Sequence, residues 1–546
     1  MGLRLISGFL LLGICFLTIV LSLTGQTPGI RFRDEEIYLT GMWLMAEKGT
    51  ICQNREDINT YQQHVFLNKP GIDDRIYAAN PLGYSVALLP FYMFGGWLAA
   101  LRANCFFSAF ALVSLFFLCR YWFSSRTVLA ALILFSVSPI FVLYTTLAMN
   151  HSLTIFIQAI GLILCLKHGR FSRVFRFCAG LLLGLGVSIR LDFVLMVIPA
   201  TVLILVPLNG QTGISKPFRF RNLKYAVWDL IWVWAGFALG ALPQIFYGIH
   251  CFGHFMHSGY DPRLAGPEVI SLNHTLTAIP RIFFRINKIG LPLVFGPGIL
   301  GLTILCFRRQ RVALHILAWI LPYFILYSAF QFGSKHDFNM RYFLPLFPGL
   351  ACCAIELLNH FNLSTKRHCW LLVVFLSAST MVGAWKAYFL VNDRDANVKS
   401  QYAVMQYVDT HLPRNAVFFT PKKIGLLFAL KNIYDIRNID FLVSQASASE
   451  HEIVVQSPLP SSRENNQGKI PMLIQRSKLT VPQKRETLNR LWKDNPNKPV
   501  YLIISGIRSD YAEIVRRDYN VTVKEIYSTP QALNNYLVFK IESLKN

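Results

Sequence analysis

The chain has 546 residues, 53% of them hydrophobic and only 15% charged, and a mean hydropathy of +0.41. That balance excludes an ordinary soluble globular domain and points to a chain that crosses a membrane many times. The net charge of +24 comes without a basic-aromatic stripe or a binding motif, so nucleic acid is set aside as a partner; basic loops that hold cytoplasmic helix ends account for it.

In chain order, the apolar run Leu5–Leu23 reads as an uncleaved first membrane helix, since no small-x-small cleavage site follows it. A spanning helix needs about 20 residues. Further spanning or near-spanning segments are expected at 82–101, 103–119, 127–147, 152–166, 176–190, 192–207, 227–249, 291–306, 312–330, 341–359 and 369–390. The fold class is therefore a polytopic α-helical membrane protein of about 11–13 segments over residues 1–391, with a first outer loop at 24–81.

Basic groups orient it. Arg120 and Arg126 form one group, and Lys167, Arg170, Arg173 and Arg176 the next. Lys216, Arg219, Arg221 and Lys224 follow, then Arg308, Arg309 and Arg311, and finally Lys366 and Arg367. Successive groups lie two crossings apart, so all fall on one side, which the positive-inside rule makes the cytoplasm. The outer side receives Asn150–His151, the turn between Arg190 and Asp192, the loops 250–290 and 331–340, and the tail. Segment 82–101 breaks this alternation; its Pro90, Gly95 and Gly96 fit a broken or re-entrant helix.

The tail 392–546 changes character. "AVFFTP", "KPVYLIISG" and "NYLVFKIES" read as strands, "VPQKRETLNRLWKDN" and "SDYAEIVRRDY" as helices, and the Ser-, Pro-, Asn- and Gln-rich stretch 456–484 as a long loop. This is a small soluble α/β domain, extracytoplasmic by the charge argument. The 11 cysteines are scattered, Cys352 and Cys353 are adjacent, and no C-x-x-C occurs. Neither a disulfide framework nor a zinc ribbon follows.

The first outer loop opens with "IRFRDEEIYLTGMWLMAEKGT" (30–50). Ile37, Tyr38, Gly41, Met42, Leu44 and Met45 cover one side of a short helix, expected to lie in the outer interface. Asp34 stands at its N-terminal end. One account makes Asp34 an N-cap and Glu35 and Glu36 first-turn acids.

A second account comes from resemblance. The acid pair Asp34-Glu35, Tyr38 and Gly49 resemble the start of the first outer loop in the GT-C superfamily of membrane glycosyltransferases, which includes protein O-mannosyltransferases and lipid A aminoarabinose transferases. Later landmarks keep the family order: "NPLGYSVALLPFYMFGG" (80–96), "SPIFVLYTTLAMNHSLTIF" (138–156), "AGLLLGLGVSIRLDFVLMVIPA" (179–200), "CFGHFMHSGY" (251–260) and "MRYFLPLFPGLA" (340–351). There are two departures. Asn80 stands where the family often has Lys or His, and His151 where an acid is often found.

The resemblance implies transfer of a sugar from a polyprenyl-phosphate donor to a lipid, glycan or protein acceptor on the outer face of a membrane, by analogy a bacterial inner membrane, with inversion. A carboxylate must take the acceptor's proton; Asp34 is the candidate, with Glu35 orienting it or contacting substrate. The leaving lipid phosphate calls for cations on the same face: Arg341, with Lys335 and Arg190 as further candidates. Arg33, Tyr38, Asn80 and His151 are candidate substrate contacts. Each has a plainer role beside it. Arg341 is also suited to snorkel at a helix end, Lys335 to be solvated, Arg190 to pair with Asp192, and His151 to be a helix-turn residue.

His250, His254 and His257 have the i, i+4, i+7 spacing of one helix face, but Gly253 interrupts it. No metal or other cofactor is assigned; a divalent ion near the donor phosphate is left open by the resemblance. Two other classes stay open. A transporter would show repeat halves and charges at mid-membrane. A polysaccharide polymerase or ligase of another membrane fold would place its chemistry in the loop 250–290.

Overall fold

The computed structural model describes residues 2–24, 29–54, 69–73, 75–78, 80–167, 171–207, 223–255, 272–330, 337–361, 365–420, 435–438, 499–505, 512–513, 515–516, 521–528 and 536–543. The backbone divides into a helical unit (1–26, 31–52 and 67–395) and a second unit (27–30, 53–66 and 396–546).

The helical unit starts with α1 (Gly2–Thr24) and α2 (Arg33–Lys48). Asp34, Glu35 and Glu36 fill the first turn of α2 and Lys48 its last, so both ends complement the helix dipole. Gly49, at φ 61°, closes it in the left-handed conformation. Phe32 occupies the N-cap position, so Asp34 lies inside the first turn and is not the cap. α2 is also not the one-sided helix its apolar pattern predicts: every residue from Glu35 to Met42 is buried. The reason is its neighbour α3 (Gly83–Cys119). Ser85 donates its hydroxyl to the Tyr38 carbonyl at 2.9 Å, and a Cβ on Gly41 would stand 2.8 Å from that hydroxyl.

α3 merges the two segments expected at 82–101 and 103–119. It runs for 37 residues, as two helical stretches joined at a kink. Gly96 breaks it at φ 64°, ψ −166°, a conformation that only glycine adopts readily. The next apolar segment is bent too: α4 (Ser125–Ser136) and α5 (Pro139–Thr145) meet at 71°, where Pro139 opens a new helix. α6 (His151–Leu166), α7 (Ser172–Val187) and α8 (Val197–Leu205) are short. α9 (Leu223–Phe252), α10 (Leu272–Arg285), α11 (Phe295–Arg308), α12 (Gln310–Ala329), α13 (Phe347–His360) and α14 (Thr365–His411) complete the helices.

Among the described residues, five helices are long and apolar enough to cross a membrane, or up to seven if each of two bent pairs is one span. The chain is an integral membrane protein. Fewer segments than the 11–13 expected reach this length among the described residues: 82–101 and 103–119 form one helix, and the apolar helices Gly8–Val20, His151–Leu166 and Leu191–Leu205 are shorter.

Helix packing depends on glycine where α7 crosses α9. Gly180 and Gly184 of α7 face Gly236 and Gly240 of α9. A Cβ on any of the four would run into a main-chain carbonyl of the other helix: Val233, Phe237, Phe177 and Leu181 respectively. This is small-xxx-small packing used reciprocally. Replacing Gly184 by isoleucine forces the backbones apart. The expected result is a loss of at least about 1–3 kcal/mol, read as a lower thermal midpoint of the purified protein, whereas Gly13→Ile, where nothing lies within 4 Å, leaves it in place.

Three short strands, Cys52–Asn54 (β1), Lys69–Pro70 (β2) and Arg75–Tyr77 (β3), form a sheet in the order β1-β3-β2. In the second unit a five-stranded sheet has the order β5-β4-β6-β8-β7, built from Val417–Thr420 (β4), Asp435–Asn438 (β5), Val500–Ser505 (β6), Val521–Ser528 (β7) and Tyr536–Ser543 (β8). β4 pairs in parallel with β5 and β6, and β8 pairs antiparallel with β6 and β7. Three of these strands are the three expected from sequence; β5 and β7 are additional. The helix expected at 481–495 and the loop 456–484 lie outside the described residues.

Candidate active site

Four segments bring polar side chains together: the start of α2, the stretch between α5 and α6, the turn 189–192, and a 3-10 helix at Asp337–Leu346. The acids of α2 divide the work. Glu35 is 1% exposed. Its Oε2 accepts from the main-chain N–H groups of Arg31 and Phe32, both at 2.8 Å, the reach-back of a capping box. Its Oε1 accepts from the Ala148 N–H at 2.9 Å. Glu35 thereby ties the helix start to the turn before α6. Burial pushes its carboxyl above the ordinary range, against the pull of Arg31 and the three backbone donors.

Asp34 faces the other way. It is 32% exposed, and its Oδ2 meets Arg341 Nη2 at 3.1 Å. Arg341 is 12% exposed. It also donates to the hydroxyls of Tyr144 (3.4 Å) and Tyr342 (3.2 Å), and its guanidinium lies over both rings, at 6.0 and 5.0 Å from the centroids. Its Nε is buried and has no hydrogen-bond partner among the described residues. Phe32 stacks on Tyr144 at 6.4 Å. The pair therefore sits against aromatic rings, with the carboxylate as its more open member.

Arg190 is held differently. Nε and Nη2 grip Asp192 at 3.1 and 2.8 Å, Nη2 also reaches the Tyr327 hydroxyl at 2.8 Å, and Nη1 reaches His151 Nδ1 at 2.7 Å. A guanidinium only donates, so His151 Nδ1 accepts and the ring carries its proton on Nε2. The Tyr327 hydroxyl donates to Asp192, and Tyr327 stacks on Tyr342 at 4.6 Å. This network is a buried brace behind Tyr342.

Tyr38 accepts from Asn150 Nδ2 at 2.7 Å; the same amide nitrogen donates to the Ile189 carbonyl at 2.9 Å. Asn80 is 2% exposed, and its Nδ2 has no partner among the described residues. The side chain of Arg33 and all of Lys335 lie outside the described residues. Reasoning from the sequence missed Tyr144, Tyr342, Tyr327 and Asn150. Tyr342 directly follows Arg341 and Asn150 directly precedes His151, so adjacency was the available signal. It also missed Asp337, which pairs with Arg285 at 3.2 Å and Lys288 at 2.8 Å on the helix that carries Arg341.

Among the described residues, the side chains of this site do not fit a divalent-ion centre. Asp34 is paired with a guanidinium, and His151 accepts from another. Among the described residues no three His, Cys, Asp or Glu side chains are grouped as metal ligands would be. The histidine row does not share one helix: α9 ends at Phe252, Gly253 turns at φ 73°, His254 lies beyond it, and His257 is outside the described residues.

No family model and no curated protein matches the chain. Solved structures do. ArnT from Cupriavidus metallidurans bound to undecaprenyl phosphate superposes with a TM-score of 0.55 at 14% identity, covering 99% of this chain and 98% of its own. The same protein in the apo state gives 0.55 at 13% identity with the same coverage. The chain has the GT-C fold. Archaeal AglB from Archaeoglobus fulgidus, in complex with an inhibitory peptide and a dolichol-phosphate, superposes at a TM-score of 0.47 and 11% identity over 96% of this chain and 74% of its own. Within the GT-C fold of this chain, the Asp34–Arg341 pair lies where α2 meets the 3-10 helix.

Proposed function

We propose that this protein is a membrane glycosyltransferase that moves a sugar from a polyprenyl-phosphate donor to an acceptor hydroxyl on the outer face, with inversion. The observation that carries the reading is the Asp34–Arg341 pair: a partly exposed carboxylate 3.1 Å from a mostly buried guanidinium, walled by tyrosines. ArnT, which shares the fold, binds undecaprenyl phosphate; that supports a lipid phosphate as the anion here.

The chemistry follows from the two charges. Arg341 takes the donor phosphate as a charge-assisted, fork-shaped donor. Asp34 is displaced from it and turns to the acceptor. Inverting glycosidases hold their two acting groups about 6.5–9.5 Å apart so that the nucleophile and the sugar carbon fit between them. By the same geometry the resting pair must part before reaction. Asp34 then accepts the acceptor's proton as its oxygen bonds to the anomeric carbon. The bond to the phosphate oxygen breaks on the opposite face, and Arg341 stabilises the charge left on the phosphate. Glu35 holds the start of α2, and the Arg190–Asp192–Tyr327 brace holds Tyr342. No step uses a metal ion.

The charge pattern supports the orientation. With α3 as one crossing, every one of these basic groups falls on one side, and Asp34, Arg190 and Arg341 fall on the side opposite to them. The test is direct: purified protein in liposomes, a polyprenyl-phosphate sugar, and an acceptor extract from the same membrane. The reading expects release of polyprenyl phosphate that depends on acceptor, survives chelation of divalent ions, and gives a product of opposite anomeric configuration. Transport of the sugar without a new glycosidic bond would overturn it.

A further inference from the structure

The second unit includes residues 29 and 30, which belong by sequence to the approach to α2. Ile30 is fully buried there, and so is Gln401 of α14. The Gln401 amide makes both hydrogen bonds that a neighbouring strand would make to Ile30. Its Oε1 accepts from the Ile30 N–H at 3.2 Å, and its Nε2 donates to the Ile30 carbonyl at 3.1 Å. Gly29 lies so close to Val398 that a Cβ would overlap its side chain. Val398 and Gln401 are three residues apart, on one face of the helix. Tyr536, the first residue of β8, also bonds to Gln401 through its hydroxyl.

A glutamine that satisfies one residue's N–H and carbonyl together fixes that residue in register and orientation, because a buried amide that loses such a partner is left unsatisfied. Ile30 is four residues before Asp34. The residues between are also pinned: the N–H groups of Arg31 and Phe32 bind Glu35. No slack segment separates the clasp from the candidate base.

We propose that Gln401 is a positioning residue: its clasp on Ile30 fixes the backbone that leads into α2, and with it the aim of Asp34. This rests on the reading of Asp34 as the base.

The test uses the full chain in nanodiscs and two variants, Gln401→Met, which keeps the volume and loses both bonds, and Gln401→Glu, which keeps the acceptor and loses the donor. Amide exchange over residues 29–32 and steady-state turnover are measured together, with the thermal midpoint as a check on folding and Asp34→Asn as a control. The expected result is faster exchange at Ile30 in Gln401→Met, with kcat lowered by up to about 10²-fold, as misplacement of a reacting group does. KM for the donor changes little, because Arg341 is untouched. Gln401→Glu retains protection at the Ile30 N–H and falls between, and serves if Gln401→Met does not fold. Unchanged exchange, or lost protection with wild-type kcat, overturns the proposal while leaving Asp34 as base. Full turnover in Asp34→Asn overturns the reading of the base, and this proposal with it.

Discussion

Asp34→Asn is expected to lower turnover by about 10²–10⁴-fold, the usual worth of a positioned general base, while binding of polyprenyl phosphate is kept or tightened. The two effects have one cause. In the resting pair the carboxylate occupies the guanidinium at 3.1 Å, so the donor phosphate must displace it. Asparagine has nearly the same shape and no charge. It removes the competitor from Arg341 and, with it, the acceptor for the proton. A structural role would give another pattern, because a lost ion pair that only held the fold would lower stability, binding and turnover together. The measurement is a binding isotherm for polyprenyl phosphate beside single-turnover kinetics with the donor. Weaker binding with unchanged chemistry would remove Asp34 from the mechanism.

Arg341→Met is expected to abolish donor binding within the measurable range. In the complex the phosphate takes Asp34's place on the guanidinium, and removing one partner of such a desolvated charge pair costs about 2–5 kcal/mol or more, where 1.4 kcal/mol is tenfold. Arg341→Lys restores the charge but not the planar fork, and it loses the stacking on Tyr144 and Tyr342. It should recover only part of the affinity. Tyr342→Phe separates the contributions further: it keeps the ring under Arg341 and the stack on Tyr327, and removes one acceptor at 3.2 Å. A helix-end arginine that merely snorkelled would tolerate Lys fully, so equal donor affinity in Arg341→Lys would reject the phosphate role.

Several features are legible in the order of residues alone. The membrane class follows from composition. Three strands of the tail follow from short β-branched and aromatic runs between polar stretches. Asp34, Glu35 and Arg341 stand out because the family pattern resembled by 30–50 and 340–351 points to those positions. The difference between Asp34 and Glu35 is not legible. Two adjacent acids look alike in a sequence; one of them, Glu35, accepts from the N–H groups of Arg31 and Phe32 just before it, and only the fold brings the third donor, the Ala148 N–H, to it. Arg190 and Arg341 look alike for the same reason. The first is gripped by Asp192, Tyr327 and His151, and the second has one carboxylate and two phenols.

What the sequence by itself determined is set by local chemistry: helices where apolar residues run on, breaks at Pro139 and Gly96, acids at the start of α2 and a basic excess at one set of helix ends. These depend on neighbours along the chain, and hydropathy and backbone sterics read them directly. Tertiary structure alone decided which charges meet. Asp34 and Arg341 are 307 positions apart, and Ile30 and Gln401 are separated by 371. No periodicity carries information over that distance, because a hydrogen bond or ion pair is specified by position in space and its partners are free to come from any segment that packing brings alongside.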